Sequence, residues 1–431
     1  MKTLIALTSL LLALAGGALA APVDAPELAA PGTLAVGLRR LHVDVGNVPD
    51  PAGGSASARL VAALLWYPAA GTPTPGRTLS TEVRNHAWRG LQSATLTVSV
   101  PSMATPEAPL DTRQRWPVVL LSHGLLNWVA HFNDLAEHLA SRGYVVLGLE
   151  HDDEAFGNPL QAALLLRPID QAAAIHALHQ WQASAEHPLH QRLDLARLAV
   201  VGYSMGGYGA LISAGARVAS DGMAFGYVAG GAMSRHAQPA TGADAQARAR
   251  IAALVAIAPF GAQAGIGAFN PAGLAQVSAP TLFVVGDQDD ISGYQDGVRQ
   301  AYDGLSAARR WLLVYENARH NIALHGAPEG MRGDFRLWSN LEEPVWRRDR
   351  LLELNRHFIT AFLDLTLRGD MQRAPLLAPV LPRANDGAWP EAFGTPASGR
   401  FAGVPSGAIT HWAGFQRRWA VGLRLEQASP R

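Results

Sequence analysis

The chain has no cysteine among its 431 residues. That excludes disulfides, a thiolate nucleophile and an N-terminal cysteine carrying lipid. It has little charge, 16% of residues, and Lys+Arg balances Asp+Glu at 35 each. No basic field is available for nucleic acid, and no acidic tail is visible. After residues 4–14 no second apolar run approaches the ~20 residues that span a bilayer, so no stable membrane insertion is expected. Repeats at solenoid or propeller spacing are also missing.

What is present begins with Met1-Lys2, an apolar run over 4–14 and Ala18-Leu19-Ala20. This reads as a signal peptide over 1–20, with export to the periplasm or medium. Residues 21–33 are Pro/Ala-rich and read as a flexible leader. Strands are expected over 34–45, 59–67, 116–122, 144–150, 251–258, 280–285 and 311–315, with a less secure one near 94–100. Helical patterns cover about 128–141, 167–185 and 346–367. Strand and helix alternate through the middle of the chain, which predicts an α/β fold: a mostly parallel central sheet with helices on both faces. Residues 34–370 form the main domain. Residues 218–249, rich in Ala and Gly, are either a lid or a surface excursion. Residues 371–431 read as a loop-rich extension packed on the domain, with a final amphipathic piece around 412–425.

The organising motif is Gly202-Tyr203-Ser204-Met205-Gly206, set between an apolar strand and a small-residue helix. Lifting a serine hydroxyl clear of a sheet needs a strained turn, and glycines two residues away on either side remove the collisions. Ser204 is the expected nucleophile, and the Met205 amide is one expected oxyanion donor. A serine needs a base, and the base needs an acid to orient it. In this sheet type the order along the chain is Ser, acid, His. His320 follows the last clear strand and is the preferred base, with His325 the alternative. Asp289 in Gly286-Asp287-Gln288-Asp289-Asp290 is the preferred acid and Asp290 the second choice, while Asp287 suits a turn. The second oxyanion donor is assigned to the Leu125 amide, after His123-Gly124. His176 and His179, three apart on a helix, read as a surface pair rather than metal ligands. Glu150-His151-Asp152-Asp153 reads as a hydrogen-bonded strand end. Trp128, Trp338 and Trp346 either line an acyl pocket or simply pack.

These residues resemble the α/β-hydrolase superfamily, and within it the platelet-activating-factor acetylhydrolase and dienelactone-hydrolase-like group. The likeness is carried by Ser122-His123-Gly124-Leu125, by 139–146 with Glu150-His151, by Gly202 to Gly207, and by 365–370. It implies an α/β-hydrolase fold and serine carboxylester hydrolysis through an acyl-enzyme, with no metal or cofactor. It carries over Ser204, His320, Leu125 and Met205 in the roles already given. One departure matters. The animal acetylhydrolases carry their acid after the strand that follows the elbow, and here that position reads Ala258-Pro259-Phe260-Gly261. The acid is therefore expected at Asp289. The elbow serine also separates the chain from dienelactone hydrolases proper, which use cysteine. The expected substrate is a small-molecule or lipid ester. The rival readings are a serine peptidase on the same fold and a hydrolase-like binding protein without turnover.

Overall fold

Continuous apolar runs become the central strands because both of their faces can be covered. The computed structural model describes residues 26–73, 76–85, 94–248, 250–327, 331, 333–388, 410–416 and 419–431. In chain order the strands are β1 (Ala35–Val48), β2 (Ser57–Ala69), β3 (Arg77–Asn85), β4 (Ala94–Ser102), β5 (Ala104–Pro106), β6 (Trp116–Ser122), β7 (Val145–Glu150), β8 (Leu193–Tyr203), β9 (Ile251–Ile257), β10 (Thr281–Gly286), β11 (Arg310–Tyr315) and β12 (Leu423–Ala428). Ten of them make one sheet in the order β12-β11-β10-β9-β8-β6-β7-β2-β1-β5, and β3 pairs with β4 apart from it. The centre, β7 through β11, is parallel, while β2 joins β7 and β12 joins β11 antiparallel. This is the mostly parallel sheet read from the sequence.

The helices are α1 (Asn133–Ser141), α2 (Pro159–Ala183), α3 (Met205–Ser213), α4 (Met223–Tyr227), α5 (Ser234–Ala237), α6 (Gly242–Arg248), α7 (Pro271–Leu274), α8 (Arg299–Gly304), α9 (Phe335–Ser339) and α10 (Arg348–Arg368). Alternation along each strand divides the core. Val118 and Leu120 of β6 point into a cluster with α2, α3 and α8. Val119 and Leu121 point the other way, into a cluster with α1 and α10. Helices thus cover both faces. Among the described residues, no helix is long and apolar enough to cross a membrane.

Three boundaries differ from the sequence expectations. The expected signal peptide over 1–20 and residues 21–25 lie outside the described residues, but residues 26–33 of the expected flexible leader are anchored to the domain, although 27, 30, 31 and 33 stay exposed. Leu28 is buried, its amide donates to His357 Nδ1 at 3.1 Å, and the Gly32 amide donates to Ser141 Oγ at 2.7 Å. One apolar anchor and specific backbone bonds hold a stretch whose composition alone reads as loose. The tail, read as a loop-rich extension packed on the domain, ends in a strand where the sequence showed only an amphipathic piece. Its last residues form β12 and close the edge of the sheet beside β11. The α2 helix starts eight residues before the expected position 167, at Pro159, capped by Asn158 Oδ1, which accepts the Leu160 and Gln161 amides at 3.1 and 3.2 Å. The reason is Pro168, which sits inside the helix. A proline removes one helical donor and normally ends a helix. Here the Leu164 carbonyl that it strands is taken by the Tyr208 hydroxyl at 3.0 Å.

Candidate active site

The turn from β8 into α3 holds Ser204 at φ 52°, ψ −116°. This is the left-handed side of backbone space, where a non-glycine residue is strained. Two glycines make the turn possible. A Cβ on Gly202 would stand 2.3 Å from the Gly206 carbonyl oxygen, and one on Gly206 would stand 2.1 Å from that of Ser122. The turn is tied from outside as well: the Ser204 amide donates to the Ile257 carbonyl at 2.9 Å, and the Phe260 amide to the Ser204 carbonyl at 3.0 Å.

The sheet brings the loops after β8, β10 and β11 together at its carboxyl edge, where such sheets collect their sites. His320 Nε2 is 3.0 Å from Ser204 Oγ. His320 Nδ1 is 3.0 and 2.9 Å from the two Asp289 oxygens. Ser204, Asp289 and His320 are each only 7% exposed. The carboxylate accepts from the ring, so Nδ1 carries the proton and the Nε2 lone pair faces the serine hydroxyl. Asp289 Oδ1 also accepts the Ile291 and Ser292 amides at 2.9 and 2.8 Å. Burial acts to raise the Asp289 carboxyl, but His320 and these amides outweigh it and hold it below the usual carboxylate range. Tyr203 lies beside the histidine, ring centroids 5.1 Å apart, and its hydroxyl donates to Asn321 Oδ1 at 3.1 Å.

The alternative residues do other work. Asp290 pairs with exposed Arg319. Asp287 accepts the Asn317 amide at 2.7 Å and pairs with Arg424, a turn tie as its position suggested. His325 Nε2 accepts the Asp134 amide at 3.0 Å, capping the first turn of α1. His176 bonds to Gln180. Among the described residues no group of three or more His, Asp or Glu is placed to hold a metal. Trp128 and Trp346 are buried in packing, while Trp338 is half-buried against exposed Phe335.

The Leu125 loop lies directly against the elbow, since a Cβ on Gly124 would come within 3.2 Å of Ser204 Cβ. Among the described residues, neither the Leu125 nor the Met205 N–H meets a protein acceptor. Met205 is the first residue of α3, where amides are unpaired by construction.

Residues 93–224 match the family described as PETase, PET hydrolase-like. The fold is similar to a ferulic acid esterase from Streptomyces cinnamoneus, with 19% identity and a TM-score of 0.53 over 80% of this chain and 94% of that one. No curated protein matches the chain. The chain has an α/β-hydrolase fold.

Sequence reading missed a buried polar layer of this fold. Ser122 Oγ is 2.9 Å from His151 Nε2, and His151 Nδ1 is 2.7 Å from Asp170 Oδ2. This is a second Ser–His–Asp chain, but Ser122 and Asp170 are fully buried and His151 is 4% exposed. Its geometry resembles that at Ser204, yet no ester reaches it. Asp170 is further clamped by both arms of Arg59, at 2.7 and 2.9 Å. Burial, with Arg167 and Arg59 nearby, holds the His151 ring neutral. The available signal was Arg167, Asp170 and Gln171 at helical spacing on an otherwise apolar stretch. It is legible only once α2 is known to continue through Pro168.

At the opposite edge of the sheet, a cavity of about 890 Å³ is lined by Arg113, Arg115, Arg142, Arg197, Arg368 and Arg373. Four of these six face carboxylates: Asp111, Asp194, Asp364 and Asp370. It lies away from Ser204 and forms a solvated ionic seam.

Proposed function

We propose that the protein is an exported serine hydrolase that cleaves carboxylic esters through an acyl-enzyme. The observation that carries this is the continuous hydrogen-bonded chain from Ser204 Oγ through His320 to Asp289. The PET hydrolase-like match across the elbow and the esterase of similar fold support ester chemistry. Export rests on the leading segment 1–20.

In this reading Ser204 Oγ attacks the ester carbonyl while His320 Nε2 takes its proton. The Leu125 and Met205 amides receive the oxyanion. Asp289, kept ionised, stabilises the imidazolium without taking its proton. His320 then protonates the departing alcohol, which leaves as the acyl–Ser204 ester forms. A water loses its proton to the same nitrogen, attacks the acyl carbon, and Ser204 recovers its proton as the acid departs.

The test is hydrolysis of p-nitrophenyl esters from acetyl to palmitoyl, with Ser204→Ala beside the wild type, and fluorophosphonate labelling of both. Activity and labelling that both vanish in the variant are expected. Equal turnover by variant and wild type, or labelling elsewhere, rejects the reading.

A further inference from the structure

The trans peptide between Gly124 and Leu125 holds its carbonyl and its N–H in one plane, pointing in opposite directions. Whatever fixes the Gly124 oxygen therefore fixes the direction of the Leu125 N–H. Arg167, fully buried on α2, reaches the strand end from below. Its Nη1 donates to the His123 carbonyl at 2.6 Å, and its Nη2 to the Gly124 carbonyl at 3.0 Å. Nε and Nη2 also donate to the two oxygens of Asp153, at 3.0 and 2.5 Å. Asp153 Oδ2 in turn accepts the Leu126 amide at 3.1 Å, and Leu126 is held at φ 53°, a strained value for a non-glycine residue. The two carbonyls before the Leu125 amide and the amide after it are all gripped by one ion pair. The His123 ring adds to the grip: Nδ1–H donates to the Gly124 carbonyl at 2.7 Å, and Nε2 accepts the His151 amide at 3.0 Å.

A buried ion pair is a poor device for stability, because desolvating both charges offsets most of their attraction. It is a good device for fixing geometry. A guanidinium is a planar fork whose donors span two acceptors at once. We infer that Arg167 and Asp153 are positioning residues that aim the Leu125 N–H at the reacting oxygen. The inference rests on the proposed roles of Ser204 and Leu125.

The test uses the full chain and the p-nitrophenyl ester that the wild type turns over fastest. The double variant Arg167→Met/Asp153→Leu removes both charges and leaves neither unpaired. Each preparation is titrated with a fluorophosphonate, so that kcat is counted per reactive Ser204. The expected result is a folded protein with KM within about twofold of wild type and kcat per site about 100-fold lower, the loss associated with a misaimed oxyanion donor. Inhibition by a trifluoromethyl ketone, which forms an oxyanion on the serine, weakens in parallel. A role confined to stability lowers the melting temperature and the number of titrated sites but leaves kcat per site unchanged. That outcome overturns the inference. If the double variant does not fold, Arg167→Lys decides. It keeps the pairing charge but offers a single ammonium for two carbonyls, and kcat per site should fall about tenfold or more with KM held. Wild-type kcat in that variant also overturns the inference. Turnover surviving in Ser204→Ala signals instead that the underlying catalytic reading has failed.

Discussion

The Tyr208 hydroxyl donates to the Leu164 carbonyl at 3.0 Å, and this is the carbonyl that Pro168 leaves without a helical donor. A tyrosine on the helix behind the elbow thus completes the helix that carries Arg167. Tyr208→Phe should strand a buried carbonyl and cost about 1–3 kcal/mol. Pro168→Ala in the same background restores an amide to that carbonyl and should recover much of the loss. Urea unfolding of the four proteins checks this as a double-mutant cycle. Additive effects would show that the two residues are not coupled.

Ser204→Ala and His320→Ala should each lower kcat by about a million-fold, and Asp289→Ala by about ten-thousand-fold. Asp290→Ala should stay within a few-fold of wild type, since its carboxylate faces exposed Arg319. His325→Ala should keep its kcat and lose about 1 kcal/mol of stability with its cap on α1. Steady-state rates with thermal melts separate the two histidines. A His325 variant that is folded but inactive would reverse their assignment.

The Gly206 position is closed by the Ser122 carbonyl, 2.1 Å from where a Cβ would stand. Backbone cannot swing aside as a side-chain tip can, so Gly206→Ala should cost about 3 kcal/mol or more and displace the Leu125 loop. Gly265→Ala, where a Cβ meets nothing within 4 Å, is the matched control. Equal melting temperatures for the two variants would contradict the crowding argument.

Buried histidines should make the protein acid-labile. Burial, aided by neighbouring cations, holds His131 and His357 down to about 3 and His236 to about 4. It holds His123, His138 and His151 well below their ordinary value. Between these values and the unfolded value of 6.5 the folded chain binds fewer protons than the unfolded chain, so stability falls as pH drops from about 6.5 toward 4. Glu150, raised by desolvation to about 8, opposes this by up to one proton, less because 35% of its side chain meets solvent. Urea midpoints at pH 7.5, 6 and 5 should fall in that order. His357→Gln should flatten the dependence by up to one proton, about 1.4 kcal/mol per pH unit. A midpoint that does not move between pH 7.5 and 5 would refute the argument.

The sequence by itself determined the central strands and the elbow with Ser204, and narrowed the acid to Asp289 or Asp290 and the base to His320 or His325. Each of these is a local matter: an apolar run that only a doubly covered strand can bury, glycines around a strained serine, a charged loop after a strand. It did not determine that α2 begins at Pro159, because a proline inside a helix normally ends or kinks it, and only a tyrosine 40 positions after Pro168 satisfies the carbonyl that this proline strands. Nor did it determine that 26–33 would be anchored, since the partners that fix them are Ser141 and His357. It left β12 as an amphipathic piece, because an edge strand takes its identity from the neighbour it pairs with. The tertiary structure alone separated the two Ser–His–Asp chains. Both have the hydrogen bonds of a triad. Ser122 is sealed inside the sheet, while Ser204 is raised on its turn at the edge, and burial is a property of the assembled chain.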